Sequence, residues 1–446
     1  MQNRRKTTSR KSKRAAVKPV ARAKDHSIVD LYLHGLAGVI GLGILIIPFF
    51  IALLYGGPFS IYLVIGAGFI ALLLAMLIYD ISITHSHDPY NFLKNTSGKE
   101  YSFVFGFLLL VSFIITATAA GIASVGELSL FFGISSYTSI AVIDVAFLVM
   151  WVLFFYNKVK SSLNFAGALK ILFVLLLIIV GAVSTFASGS NPSISIPTAS
   201  LPYTPPLFFF GLLLLLWMYG GFEGAAIVYK GENKVKVAKS LVYIIITSII
   251  LFSIVQVFAY TTVQNSITKI YTALAANVPT ASIFTTNIIA SNTGTIVESI
   301  LIALSIVVIL SAAFAVINAA NRTLDDMAND GLMPKFLAKD ENLKLLVTAA
   351  VPIILITVFS TVMISTSVFD YIAIIIISAL AFAAAFAFFA AGYAVHYVKQ
   401  KKYSRFVFGL FTVALMILLI ISSPAAFLIG LGIILLVALV GYALVK

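Results

Sequence analysis

The chain has 446 residues, 61% of them hydrophobic and 10% charged, with a mean hydropathy of +1.09. Water-soluble domains hold about 45–50% apolar and about 25% charged residues, so this composition excludes a water-facing globule and predicts an integral membrane protein. Lys and Arg number 29 against 16 Asp and Glu, a formal net charge of +13, and the absence of cysteine removes disulfides, thiolate metal sites and cysteine nucleophiles.

Residues 1–24 hold ten of the basic residues, between Arg4 and Lys24, and show no apolar periodicity. This segment reads as a disordered tail held against anionic lipid, and nucleic acid is not its expected partner. No short apolar core with a small-residue cleavage site follows it, so it does not read as a signal peptide.

From Leu31 onward, apolar runs long enough to cross about 30 Å of hydrocarbon recur between short polar breaks. We count about twelve, centred near Gly41, Phe69, Ala117, Leu148, Leu175, Met218, Ile250, Leu310, Leu355, Ala381, Val413 and Leu435. Lys and Arg are retained on the cytoplasmic side of short loops. With the tail called cytoplasmic, the tail, alternate breaks and Lys446 together carry 27 of the basic residues, against Lys269 on the opposite face and Lys170 within a span. That asymmetry predicts a multi-pass protein of the cell membrane with both termini in the cytoplasm. The segments 188–206 and 262–294, rich in Ser, Thr, Asn and Pro, are expected as outer loops.

The first span reads His34-Gly35-Leu36-Ala37-Gly38-Val39-Ile40-Gly41-Leu42-Gly43-Ile44, with Pro48 following. The sixth reads Trp217-Met218-Tyr219-Gly220-Gly221-Phe222-Glu223-Gly224. Glycine costs about 1 kcal/mol in a helix interior relative to alanine, so clusters at mid-membrane depth point to unwinding or very close helix contact. A matching pair in corresponding positions of two halves is the pattern of discontinuous helices around a central site. Five spans separate the clusters, an odd number, so the second half enters the membrane from the opposite face and the halves are inverted copies. Unwound backbone survives in hydrocarbon only where it lines a cavity, and helix N-termini beside each break favour a carboxylate. A small amphoteric solute fits this geometry.

These residues resemble the amino acid–polyamine–organocation transporter superfamily. The pattern I-G-x-G-I-x-x-x-P of its first span is matched by Ile40, Gly41, Gly43, Ile44 and Pro48, and the sixth-span pattern, aromatic residues leading to G-F/V-E, by Trp217, Gly221, Phe222 and Glu223. The pattern R-x-x-x-x-M-A-x-D-G-x-x-P-K after the eighth span is matched by Arg322, Met327, Ala328, Asp330, Gly331, Pro334 and Lys335. The resemblance implies an all-α membrane fold of about twelve helices. Residues 25–187 would form helices 1–5 and residues 207–398 an inverted repeat of helices 6–10, with helices 1 and 6 discontinuous. Residues 399–446 would add two accessory helices. It implies that Val39, Gly41, Leu42 and Gly43 present backbone groups to a substrate carboxylate, that Gly220 and Gly221 open toward its ammonium, and that Trp217 closes over it. Two departures bear on the substrate: Leu42 stands where a small residue is common, and Glu232-Asn233-Lys234-Val235 replaces an Asn-Pro pair after the sixth span.

Two charges fall inside spans. Lys170 lies in the fifth, and in proteins that this segment resembles an ammonium there occupies the place of sodium in sodium-driven relatives. The resemblance therefore implies proton coupling through Lys170. Glu223 follows the sixth-span glycines and is read as a cap and gate for unwound backbone. Glu127, Asp144, Glu298 and Asp370, near outer ends, are expected in water, whereas Asp80 and His34 near inner ends stay open between pairing and solvation. His85, His87 and Asp88 share a loop too isolated for a metal site. With no nucleophile–base constellation, an enzyme is not expected, nor is a cofactor or metal. The expected function is proton-coupled uptake of an amino acid or similar amine by alternating access. An exchanger, a sodium-coupled carrier and a transporter-like sensor are the alternatives.

Overall fold

The computed structural model describes residues 27–55, 59–85, 88–155, 159–187, 205–228, 233–275, 295–334, 337, 341–366 and 371–445. The basic tail lies outside them, as does most of both expected outer loops. The described residues form fifteen helices. In the first half these are α1 (Ile28–Val39), α2 (Leu42–Tyr55), α3 (Phe59–His85), α4 (Pro89–Ser97), α5 (Lys99–Phe132), α6 (Ser136–Phe155) and α7 (Val159–Ala187). The second half holds α8 (Pro205–Tyr219), α9 (Glu223–Val228), α10 (Lys234–Ala275), α11 (Thr295–Asn329), α12 (Glu341–Thr366) and α13 (Tyr371–Lys399). The last two are α14 (Tyr403–Ile421) and α15 (Ala425–Val445). Helix α10 carries the seventh span on to Ala275, so the start of the expected loop from Thr262 is helical.

Nine helical stretches of the described residues are long and apolar enough to cross a bilayer, and a tenth crossing is the bent pair Ile28–Val39 and Leu42–Ala52. The other two expected centres, Leu148 and Leu355, fall in the shorter apolar stretches Ser136–Met150 and Leu346–Val362. Length and composition thus give nine or ten crossings; eleven of the twelve expected centres lie in a helix, and the twelfth, Gly41, lies in the break between α1 and α2.

Helix contacts carry the internal symmetry. Span 2 packs on span 7 (α3 on α10), 3 on 8 (α5 on α11) and 4 on 9 (α6 on α12), each pair equivalent to itself when spans k and k+5 are exchanged. Several further contacts occur in exchanged pairs: α1 with α7 matches α8 with α13, α1 and α2 with α10 match α8 and α9 with α3, and α5 with α13 matches α11 with α7. The offset of five spans, an odd number, makes the copies inverted. Helices α14 and α15 stand outside this exchange, and their exposed Leu410, Phe411, Ile429, Ile433 and Leu436 suit a lipid surface.

Both glycine clusters break their spans. The chain leaves helical geometry at Ile40–Gly41 with a bend of 50° between α1 and α2, and again over Gly220–Phe222 between α8 and α9. The breaks touch backbone to backbone: a Cβ on Gly38 would lie 2.7 Å from the Gly221 carbonyl oxygen, and one on Gly221 would lie 2.7 Å from the Gly38 carbonyl. Gly221 also has φ +103°, which side-chain-bearing residues rarely adopt. A Cβ on Gly43 would fall 2.9 Å from the Met218 Cα. Glycine here serves close approach and a left-handed turn, not loose packing.

Polar side chains fasten the basic face. Asp330 accepts from the Tyr90 hydroxyl at 3.0 Å and pairs with Lys94, while Lys99 reaches the Asp330 carbonyl at 3.1 Å. Burial, and next the adjoining Asp330 charge, raise the Tyr90 hydroxyl far above its ordinary pKa, so it donates throughout the physiological range. Asp80 pairs with Arg405 at 2.9 Å and accepts from Tyr393 and Tyr397 at 2.9 Å each. Asp80 thus pairs, and His34 is buried. Glu127 corrects the expectation of a solvated carboxylate: it is fully buried, because α5 continues to Phe132 while packed along α11 and α13. Asp144 is partly buried and accepts from Thr357 on α12 at 2.9 Å. Asp370 and the Glu298 side chain lie outside the described residues.

Gly38→Ala should lower the melting temperature of the purified protein, the overpacking costing about 1–3 kcal/mol. Gly430→Ala, where an added Cβ meets nothing within 4 Å, should not. Equal melting temperatures for the two variants would contradict the backbone contact.

Candidate functional site

The crossing of the broken helices leaves a cavity with about 40 Å³ of free space, room for about three water molecules at about 10–15 Å³ each. Val39, Gly41, Leu42 and Gly43 line it from the first span, and Trp217, Gly220, Gly221 and Glu223 from the sixth. Every residue expected at a substrate site therefore meets one hollow. Lys170 is not on its wall.

At one side of the hollow α2 begins. The first N–H groups of a helix have no partner within it, and the aligned peptide dipoles place partial positive charge there. The N–H groups of Leu42, Gly43 and Ile44 belong to that first turn, two of them on cavity-lining residues. At the other side α1 ends, with Ile40 N–H closing on the Leu36 carbonyl at 2.9 Å. The next carbonyl, that of Ala37, accepts from the Lys170 ammonium. Lys170 is fully buried, so this bond sets its amino group at the carbonyl end of α1, away from bulk solvent. Gly167, one turn before Lys170, allows the approach, since a Cβ there would collide with the Leu33 carbonyl.

Glu223 turns both carboxylate oxygens to the Gly221 N–H, at 3.0 and 3.1 Å, and is 1% exposed. It closes the sixth-span break locally, as a cap does. Gly220 N–H closes on the Trp217 carbonyl at 2.9 Å, completing the turn.

Sequence reasoning missed the hydroxyl group that holds Trp217. Its indole N–H donates to Thr116 Oγ1 at 3.1 Å and Ser378 Oγ at 3.0 Å. Ser378 in turn meets Thr116 Oγ1 at 2.8 Å and donates to the Ser112 carbonyl at 3.0 Å. Ser112, Thr116 and Ala120 share one face of α5 at four-residue spacing and all line the cavity, a small-residue stripe visible in the sequence once α5 is known to face inward. Phe113, Met218, Ala312, Ala313, Val316 and Phe382 make the rest of the wall apolar.

The family model for amino acid permeases matches residues 28–444. The chain belongs to that family. A search of curated protein sequences gives no significant match. Among solved structures, mutant forms of the manganese transporter of Eremococcus coleocola superpose with a TM-score of 0.58 at 15% identity, in one case covering 95% of this chain and 96% of that one. The same transporter in complex with an aromatic bis-isothiourea substituted compound gives 0.55 at 12% identity, with 94% and 95% covered. At that identity the likeness establishes the fold alone: the five-plus-five inverted repeat with broken helices 1 and 6 and two accessory helices. This permease is a multi-pass membrane transporter, and its family points away from enzymatic chemistry.

Trp217 and Trp151 are its two tryptophans, so Trp151→Phe leaves one indole, at the cavity. In that background Ser378→Ala removes an acceptor and should change the Trp217 emission while costing about 1 kcal/mol or more of stability. An unchanged emission spectrum would show that Ser378 does not hold the indole.

Proposed function

We propose that this permease imports a small neutral amino acid together with protons across the cell membrane, by alternating access about the cavity, with both termini in the cytoplasm. The observation that carries this reading is the pairing at the first-span break. Leu42 and Gly43 of the first turn of α2 line the hollow, while the buried Lys170 amine caps the last turn of α1. The N–H groups suit a substrate carboxylate. Carbonyls released at the ends of α1 and α8 suit its ammonium. Trp217 covers the solute, and Leu42 with the apolar wall limits its side chain.

The acidic side chain on the cavity wall, Glu223, is engaged by the Gly221 N–H, and no histidine lines the hollow among the described residues. That donor set suits a zwitterion better than a hard divalent cation or a dibasic amine, which require several oxygen or carboxylate ligands. Lys170 couples transport to protons: with its proton it grips Ala37 and steadies α1, and without it the charge-assisted bond is lost and α1 is released to move. Exchange and sodium coupling are the competing modes.

In proteoliposomes, labelled neutral amino acids should accumulate under an inwardly directed proton gradient and not under a sodium gradient. Lys170→Ala should abolish pH-driven accumulation while leaving counterflow exchange. Full pH-driven accumulation by Lys170→Ala, or accumulation driven by sodium alone, would overturn the coupling assignment. With Trp151→Phe, the substrate should also change the Trp217 emission in a saturable way.

A further inference from the structure

Beyond the first-span break, α2 carries no hydrogen-bonding side chain before Tyr55. Its side chains from Ile44 to Ile47, with Phe49 and Ile51, are buried and apolar. Apolar contact is non-directional, so it keeps the helix in the bundle without fixing its rotation or its height. The first turn is also joined to the next by one bond fewer, because Pro48 has no N–H to return to the Ile44 carbonyl. A directional tie comes from α10, which packs on both α2 and α3. There the fully buried Gln256 donates from Nε2 to the Pro48 carbonyl at 2.9 Å and to Ser60 Oγ on α3 at 3.1 Å. A carbonyl only accepts, so the amide nitrogen and not the amide oxygen faces Pro48. One side chain thus joins three helices, at separations of 208 and 196 residues along the chain, and it is not on the cavity wall.

We propose that Gln256 is the positioning residue of the binding site: it holds α2 at the rotation and height from which its first turn offers N–H groups to the solute. This rests on the reading of that turn as the seat of the substrate's carboxylate. A hydrogen bond to a carboxylate tolerates displacements of a few tenths of an ångström, so a helix free to turn or slide by about 1 Å loses affinity. The two halves of the first span are then held alike, each by one buried side chain on a backbone carbonyl: Lys170 of α7 on Ala37, and Gln256 of α10 on Pro48. The two grips differ in chemistry. An amide has no proton to gain or lose at physiological pH, so α2 stays fixed to α3 and α10 while the grip on α1 is the one that protons control. Removing the amide strands no backbone group, since the Pro48 carbonyl keeps the helical N–H four residues on. Its loss therefore loosens the placement of α2 more than it lowers stability.

The test uses the full-length protein carrying Trp151→Phe, with L-alanine, L-valine and L-leucine titrated against the Trp217 emission, each beside its methyl ester. Gln256→Met, close to glutamine in length and volume, should raise the dissociation constant of the acids that bind by about fivefold, the worth of one hydrogen bond. Its melting temperature should stay within about 2 °C of the parent's. The esters, which lack the carboxylate, should bind parent and variant with the same weak affinity. In proteoliposomes KM should rise by the same factor while the maximal rate stays within about twofold, a split that general destabilisation does not produce. Gln256→Asn, whose amide is one methylene too short to reach Pro48, should behave alike and carries the test if the Met variant does not fold. Equal affinities of parent and variants, for an acid that the parent prefers to its ester, would overturn the role of Gln256 and leave the carboxylate reading standing. A parent that binds acid and ester alike would overturn both.

Discussion

The structure depends on one contact between two stretches of bare backbone. Gly38 and Gly221 bring the first and sixth spans so close that neither position has room for a Cβ, and both spans break within a few residues of that crossing. In hydrocarbon an unwound segment leaves peptide groups that lipid cannot satisfy. Here each break is sheltered by the other and supplied with specific partners: Glu223 for the Gly221 N–H, Lys170 for the Ala37 carbonyl, and the cavity for the first turn of α2. On the proposed reading stability and recognition draw on the same groups, so repacking the crossing into plain helices would remove the groups proposed to bind the solute.

Much of this was legible in the sequence, for a physical reason. Glycine in the middle of a span is costly, so Gly38, Gly41, Gly43, Gly220 and Gly221 mark backbone that does something other than continue a helix. The odd offset of five spans from one cluster to the other supplies the inversion. What escaped was whatever depends on contacts between distant residues. The Ala37 acceptor lies 133 residues from Lys170, and Ser378 lies 161 residues from the indole it holds. Serine is common within spans, and nothing in its neighbours marks Ser378 as a junction. Glu127 was misread because charge near a helix end usually means water, whereas α5 runs on beneath the cover of α11 and α13.

The basic face shows the same economy of position. Asp330, which stands in the pattern that follows the eighth span, joins α11 to Tyr90 and Lys94 on α4, and Asp80 joins α3 to α13 and α14. These ties connect first-half helices with second-half and accessory helices at one end of the bundle. The central crossing is made of backbone, and the rim is made of charged and hydroxyl side chains that pair across elements. The alternating access proposed above would keep the central crossing fixed while the side-chain ties at the rim exchange.

The central claim is that the start of α2 receives the substrate's carboxylate. A structure determined with a transported amino acid bound tests it most directly. The account predicts carboxylate oxygens within about 2.7–3.2 Å of the N–H groups of Leu42, Gly43 or Ile44, with the Trp217 indole against the solute. A solute seated elsewhere, or first and sixth spans that run unbroken past a filled hollow, would contradict it.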